Sequence, residues 1–181
     1  ACWITQILSD SLPMPIVGIA LCVFFEIPSI AGDYRPGEAI MNGQPRIEYM
    51  SLDELRRAPR NPKQHDLGAI HLSMDKRGFI APLLLDERTG QIVAGHGRLD
   101  VLLQKYGAGE KPPARIQVSP QGAWSVPVIR GIHFKDALDA EAYLVADNQT
   151  TILGGWESEG LAELLKEFKA ADMLESTGFN D

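Results

Sequence analysis

The chain has 181 residues, 45% of them hydrophobic and 23% charged, with 24 acidic against 17 basic side chains and a net charge of -7. This balance supports one ordinary domain with a helical appendage. It excludes a protein that coats DNA through its overall field, so any nucleic-acid contact has to come from a local basic patch.

The only cysteines, Cys2 and Cys22, have no Cys-x-x-Cys spacing and no histidine at metal distance in sequence. A disulfide framework and a zinc site are therefore not expected, and a cytoplasmic location is. Pro15 to Phe25 is the strongest apolar run, closed by Glu26 and Pro28. It falls short of the roughly 20 residues that span a bilayer, and no Lys or Arg precedes it as a secretory signal requires. No membrane partner is expected. Residues 1–45 read as a poorly defined extension, with Met41 as a candidate true start.

From Arg46 the elements become legible. Arg46 to Met50 alternates as a short strand. Ser51 and Glu54 have capping-box spacing and predict a brief helix through Arg57, ended by Pro59 and Pro62. After Asp66, the residues Leu67, Ile70, His71 and Met74 share one helical face, and Gly78 stops the helix. Pro82 to Leu85 reads as a buried strand, Asp86 to Gly90 as a polar turn and Gln91 to Ala94 as the returning strand. A second helix follows Gly95-His96-Gly97, with Leu99, Leu102, Leu103 and Tyr106 on one stripe and Gly107 at its end. Ala108 to Ala123 is a loop. Val126 to Ile129 is a short strand, placed at an edge because of Pro127. Asp136 to Asn148 is helical, and Trp156 precedes a last helix striped by Leu161, Leu164, Leu165 and Phe168. The sum is an α+β domain over residues 46–154, a small mixed sheet with packed helices, followed by a C-terminal helical segment over 155–181.

Chemistry concentrates where the strand Gln91 to Ala94 meets the helix. Gly95 and Gly97 let the backbone turn sharply and let an anion approach it. The first-turn amides then point outward with the positive end of the helix dipole. Arg98 adds a charged fork at the same place. Together these make a phosphate pocket. The plainer alternative is a strand-to-helix turn in which Arg98 pairs with an acidic neighbour.

A set of motifs in fixed order surrounds this turn. Asn61-Pro62-Lys63 with His65 comes first, and a helix ending Arg77-Gly78-Phe79 precedes Pro82. Ile92 to Leu102 (IVAGHGRLDVL), Val126 to Ile129 (VPVI) and Ala142 to Asn148 (AYLVADN) follow. The set resembles the ParB/sulfiredoxin superfamily, most closely the ParB-like ("ParB-like nuclease") domains of phage and mobile-element proteins that often precede a DNA methyltransferase. The resemblance implies a compact ParB/sulfiredoxin-like fold with a nucleotide or nucleic-acid phosphate site at Gly95, His96, Gly97 and Arg98, with Asn61, Lys63 and His65 beside it. It implies DNA and a nucleotide as partners, a methyltransferase domain or subunit as a neighbour, and Mg2+ with a nucleoside triphosphate as cofactor.

Departures narrow these implications. The Gly-Glu-Arg-Arg signature of partition proteins stands here as Gly95-His96-Gly97-Arg98. Asp147-Asn148 matches their magnesium-holding acidic-Asn pair, but Gln149-Thr150-Thr151 lacks the following Arg. Both argue against a full nucleotide-gated clamp. The catalytic Cys of sulfiredoxins is replaced by His96, which removes that chemistry.

Each candidate has a plainer reading. His96 can serve as general base or phosphate donor, or be an idle loop histidine. Asp147 and Asn148 offer hard oxygens for magnesium, or Asn148 simply caps a helix end. His65 touches phosphate or belongs to an N-cap loop. Arg56, Arg57, Arg60 and Lys63 contact the DNA backbone or form a solvated face. The expected function is a ParB-like module binding a nucleotide or DNA phosphate, with phosphodiesterase action as an option. The alternative is a non-catalytic module that positions a methyltransferase following the abrupt ending Ser176 to Asp181.

Overall fold

A computed structural model describes residues 43–179 of the chain, within the compact unit Pro36–Asp181. The expectations for Cys2, Cys22, Pro15 to Phe25 and Met41 lie outside the described residues. The fold is α+β. Six strands, β1 (Arg46–Ser51), β2 (Arg56–Arg57), β3 (Leu83–Asp86), β4 (Gln91–Ala94), β5 (Gln117–Val118) and β6 (Trp124–Ile132), form one sheet. Four helices accompany it: α1 (Leu67–Arg77), α2 (His96–Gly107), α3 (Ala137–Gly154) and α4 (Ser158–Ala170).

The strand order is β1-β6-β3-β4-β2, with β5 also on β6. The sheet is mixed: β3 runs parallel to β6 and β2 parallel to β4, while the other pairs are antiparallel. One face carries the main core. Met74 of α1 and Leu99 and Leu102 of α2 pack with Phe79, Leu83, Leu85, Ile92, Val126 and Val128. Successive strand residues point to opposite faces, so Val93 is buried on the other side. There α3 packs against β4 and buries Ala140 and Leu144.

Several local expectations change. Ser51 and Glu54 form no capping box: Ser51 makes no side-chain cap hydrogen bond and is instead the last residue of β1, paired with Ser125. The predicted helix is a single 3-10 turn, Leu52–Glu54, and Arg56–Arg57 then run beside Gln91 and Ile92 as β2. β6 is an interior strand rather than an edge. On one side it pairs with β1; on the other, β5 covers Trp124 and Ser125 and β3 begins at Val128. Pro127 is in register with Tyr49 of β1 and, on the other side, falls in the gap between β5 and β3, where a residue without an N–H can be accommodated. The α2 stripe is rotated, with Val101 and Lys105 buried and Leu103 exposed. Lys105 Nζ is held by Asp75 Oδ1 of α1 at 2.6 Å and Glu110 Oε2 at 2.8 Å, tying the two helices together. Finally, α3 runs six residues past Asn148, which is therefore not its cap. Gly155 (φ 59°) ends it instead. Among the described residues no helix is long and apolar enough to cross a membrane.

Candidate functional site

The strand β4 enters α2 through Gly95, whose φ of 95° and ψ of 20° lie in the left-handed region that favours glycine. A Cβ there would stand 2.6 Å from Leu83 Cδ2 and 2.8 Å from Arg98 Nη2. Glycine thus permits both the turn and the folding of Arg98 back over it. Gly97 is needed for a different reason: a Cβ would stand 2.7 Å from Ile70 Cδ1 and 2.9 Å from His65 Cγ. Its role is space, into which His65 packs.

The first i to i−4 bond of α2 runs from Leu99 N to Gly95 O at 3.0 Å, and no side chain caps the helix. The amides of His96, Gly97 and Arg98 precede that bond and stand at the positive end of the dipole. Arg98 is half-buried. Its Nη2 donates to Pro82 O at 3.1 Å, and its Nε is enclosed without an acceptor. Among the described residues no carboxylate lies within salt-bridge distance of it. Burial lowers its pKa and Asp147 of α3 pulls the other way from longer range, leaving a cation that only a carbonyl contacts directly. The predicted alternative, an Arg98 ion pair, is not what this structure holds.

The neighbours divide into those that face this point and those that do not. His65 lies against Gly97 with Nε2 enclosed and unpartnered. Burial lowers its pKa, Asp100 opposes that, and Lys63, Arg57 and Arg98 lower it further. His96 is 3% exposed, and its Nε2 accepts from Ala58 N at 3.3 Å, tying the segment after β2 to α2. Burial first, then Arg57 and His65, lower its pKa, and Asp100 opposes them. Asn61 Oδ1 accepts from Lys63 N at 3.0 Å and shapes the loop, while Lys63 is exposed. Of the basic cluster, Arg57 pairs with Asp100 of α2 and Arg60 with Glu141 of α3 at 3.1 Å. Arg56 and Lys63 have no ion pair among the described residues.

Asp147 and Asn148 follow each other on α3 and so diverge by about 100°. Asn148 Nδ2 donates to Leu144 O at 2.8 Å, whereas burial first, then the Asp147 charge, raise the pKa of the Tyr143 hydroxyl, and that charge also acts on Arg98. Among the described residues no three His, Cys, Asp or Glu side chains converge as a metal cage. Magnesium bound together with phosphates needs only one or two carboxylates, a role that Asp147 fits.

Sequence reasoning missed a cavity of about 280 Å³ that Arg98 borders, between the end of α1 and the segment leading to β3. Its walls include Ile70, Ser73, Met74, Arg77, Phe79 and Ile80, with two guanidiniums and no carboxylate among the lining residues. Arg77 Nη1 donates to Ser73 Oγ at 3.3 Å and to Ser176 O at 2.8 Å. The i, i+4 spacing of Ser73 and Arg77 on a helix was the available signal.

The chain matches no family model and no curated protein. Among solved structures it is similar to the C-terminally truncated chromosome-partitioning protein ParB from Caulobacter crescentus complexed with CTP-gamma-S, at 21% identity and a TM-score of 0.45, over 76% of this chain and 73% of that one.

Proposed function

We propose that this chain is a ParB-like, DNA-associated domain that binds a phosphate-bearing ligand, a nucleotide or a DNA backbone phosphate, at the start of α2. The observation that carries the reading is the state of Arg98. It is a half-buried guanidinium with an enclosed, unpartnered Nε, no carboxylate at salt-bridge distance among the described residues, and the uncapped amides of His96, Gly97 and Arg98 beside it. An uncompensated buried cation is costly unless an anion completes it. The adjacent cavity, with Arg77 and Ser73 over an apolar floor of Ile70, Met74 and Phe79, has the composition that accepts the body of a nucleotide.

With a triphosphate bound, magnesium would be held by Asp147 together with phosphate oxygens, where it would neutralise phosphate charge. Binding is favoured over phosphodiester hydrolysis by His96, the candidate base, whose Nε2 lone pair already accepts from Ala58. The DNA-modification setting, with a methyltransferase as neighbour, is supported by the motif order from Asn61 to Asn148 and the Trp156 helix.

The test is equilibrium binding of each labelled nucleoside triphosphate, and of a DNA duplex, with and without Mg2+. Arg98→Ala should weaken saturable binding by about tenfold or more, since a charge-assisted hydrogen bond contributes ~1.5–3 kcal/mol. Binding that survives that substitution unchanged overturns the assignment.

A further inference from the structure

The helix α3 is apolar on two opposite faces. Its inner face buries Ala140 and Leu144 toward the sheet. At 100° per residue, Leu138, Val145 and Ile152 fall at seven-residue spacing on the outer side, with Leu153 beside them, and all four are more than half exposed. A helix with two apolar faces ordinarily has both of them covered. The outer stripe, about 21 Å long over four turns, has no cover among the described residues. It continues toward Trp156, which is also largely exposed although its ring meets that of Phe179.

Charge says what kind of cover it takes. From Asp136 to Leu165 the sequence contains no Lys or Arg, while Asp136, Asp139, Glu141, Asp147, Glu157, Glu159 and Glu163 are all acidic. Glu141 and Asp139 lie on either side of the stripe by helical angle; Glu141 is paired with Arg60, so Asp139 is the border acid with no ion pair among the described residues. A like surface from a second copy would set acid against acid, and a nucleic acid would be repelled. An amphipathic helix with an apolar face and Lys or Arg along its margins satisfies both the stripe and its borders.

We infer that the outer face of α3 is a docking surface for a basic amphipathic helix of a partner protein.

Two synthetic helical peptides with the same leucine face, one bordered by lysines and one by glutamates, test this against the full chain by fluorescence anisotropy. The lysine peptide should bind saturably and weaken as salt rises, and the glutamate peptide should not bind. Val145→Asp with Ile152→Asp should reduce lysine-peptide binding by about tenfold or more, as loss of central apolar anchors does. That variant makes the surface still more acidic, so binding by charge alone would hold or rise and would overturn the inference. Both substitutions are on exposed positions; an unchanged thermal transition confirms folding, and Glu141→Gln provides a milder second variant expected to lower both affinity and salt dependence. Equal binding of the two peptides also overturns the proposal. So does a protein dimer, seen by sedimentation, that the Asp variant dissolves and the lysine peptide cannot displace.

Discussion

Gly95 and Gly97 sit two residues apart and do unrelated jobs, which makes their substitutions separable. Alanine at 95 has to adopt a positive φ against Leu83 and Arg98. Gly95→Ala should cost about 1–3 kcal/mol in urea unfolding and also displace Arg98, weakening anion binding. Alanine at 97 meets only side chains, those of Ile70 and His65. Gly97→Ala should cost about 1–3 kcal/mol by overpacking, and His65→Ala should recover part of it, so that the double variant is more stable than the sum of the singles implies. Additive losses would mean that His65 is not the obstacle. The sequence pointed to both glycines but offered one reason for them, because the side chains that fill the space at Gly97, Ile70 and His65, come from a distant earlier part of the chain. It likewise placed His96 at the mouth of the site, while the structure buries it under the chain after β2. Burial lowers the pKa of both His96 and His65. A histidine depressed below its unfolded value of about 6.5 leaves stability intact above that pH and removes it as pH falls further, since the unfolded chain then binds the protons. Thermal unfolding should therefore be flat from about pH 8 to 7 and decline below about 6.5, and the decline should shrink in His96→Gln. An unchanged slope assigns the effect elsewhere.

At the scale of elements, Glu87 after β3 joins that strand to β6. It accepts from Arg130 Nε and Nη2 at 2.7 Å each and from Gly131 N at 2.7 Å. Hydrogen bonds from Arg130, then the Gly131 amide and the Arg130 charge, overcome burial and pull the Glu87 carboxyl from 4.5 to about 2. A depressed acid contributes stability that is complete above its unfolded pKa and is lost as pH falls through the folded one. This pair should supply up to about 3 kcal/mol near neutrality, disappearing between about pH 4.5 and 2. Glu87→Gln should lower stability at pH 7 and flatten that acid limb in urea titrations; a limb of undiminished steepness would show that other carboxylates carry it. The tie spans 43 residues of sequence, and no local pattern announces it. What local pattern does announce is β4, placed residue for residue, and the inner face of α1; α4 is a helix as expected, but none of its stripe is buried and Leu164 is exposed. β2 and β5 were not legible because two-residue strands exist only through their partners. The proline rule misplaced β6, because a missing N–H is harmless wherever neighbouring strands leave a gap. The cavity beside Arg98 is likewise a product of packing between α1 and the approach to β3.

Over the whole molecule, the net charge of -7 conceals a division. Residues 46–135 carry fourteen Lys and Arg against nine Asp and Glu, whereas residues 136–165 carry seven acids and no base. The excess positive charge therefore belongs to the part of the chain that contains the α2 turn, and the bulk composition understates how readily that part can meet phosphates. How many phosphates it can meet is set by pairing. Of the cations nearest the turn, Arg57 and Arg60 are engaged by Asp100 and Glu141, while Arg56, Lys63 and Arg98 have no ion pair among the described residues. If DNA binds through these three, log affinity should fall against log salt with a slope of about −3, because each neutralised phosphate contributes about −0.9. Lys63→Ala should reduce the slope by about one whatever the DNA sequence, since a phosphate contact carries no base information. Asp100→Asn should steepen it by about one, by releasing Arg57 toward the backbone. A slope near zero in the unmodified protein would mean that phosphates do not hold it on DNA, and the open cation at Arg98 would then have to be completed by a free nucleotide. A slope well beyond −3 would mean that the Arg57 and Arg60 pairs open on binding. In that case Asp100→Asn should leave the slope unchanged, so the two substitutions distinguish a surface whose cations are already free from one that DNA has to unlock.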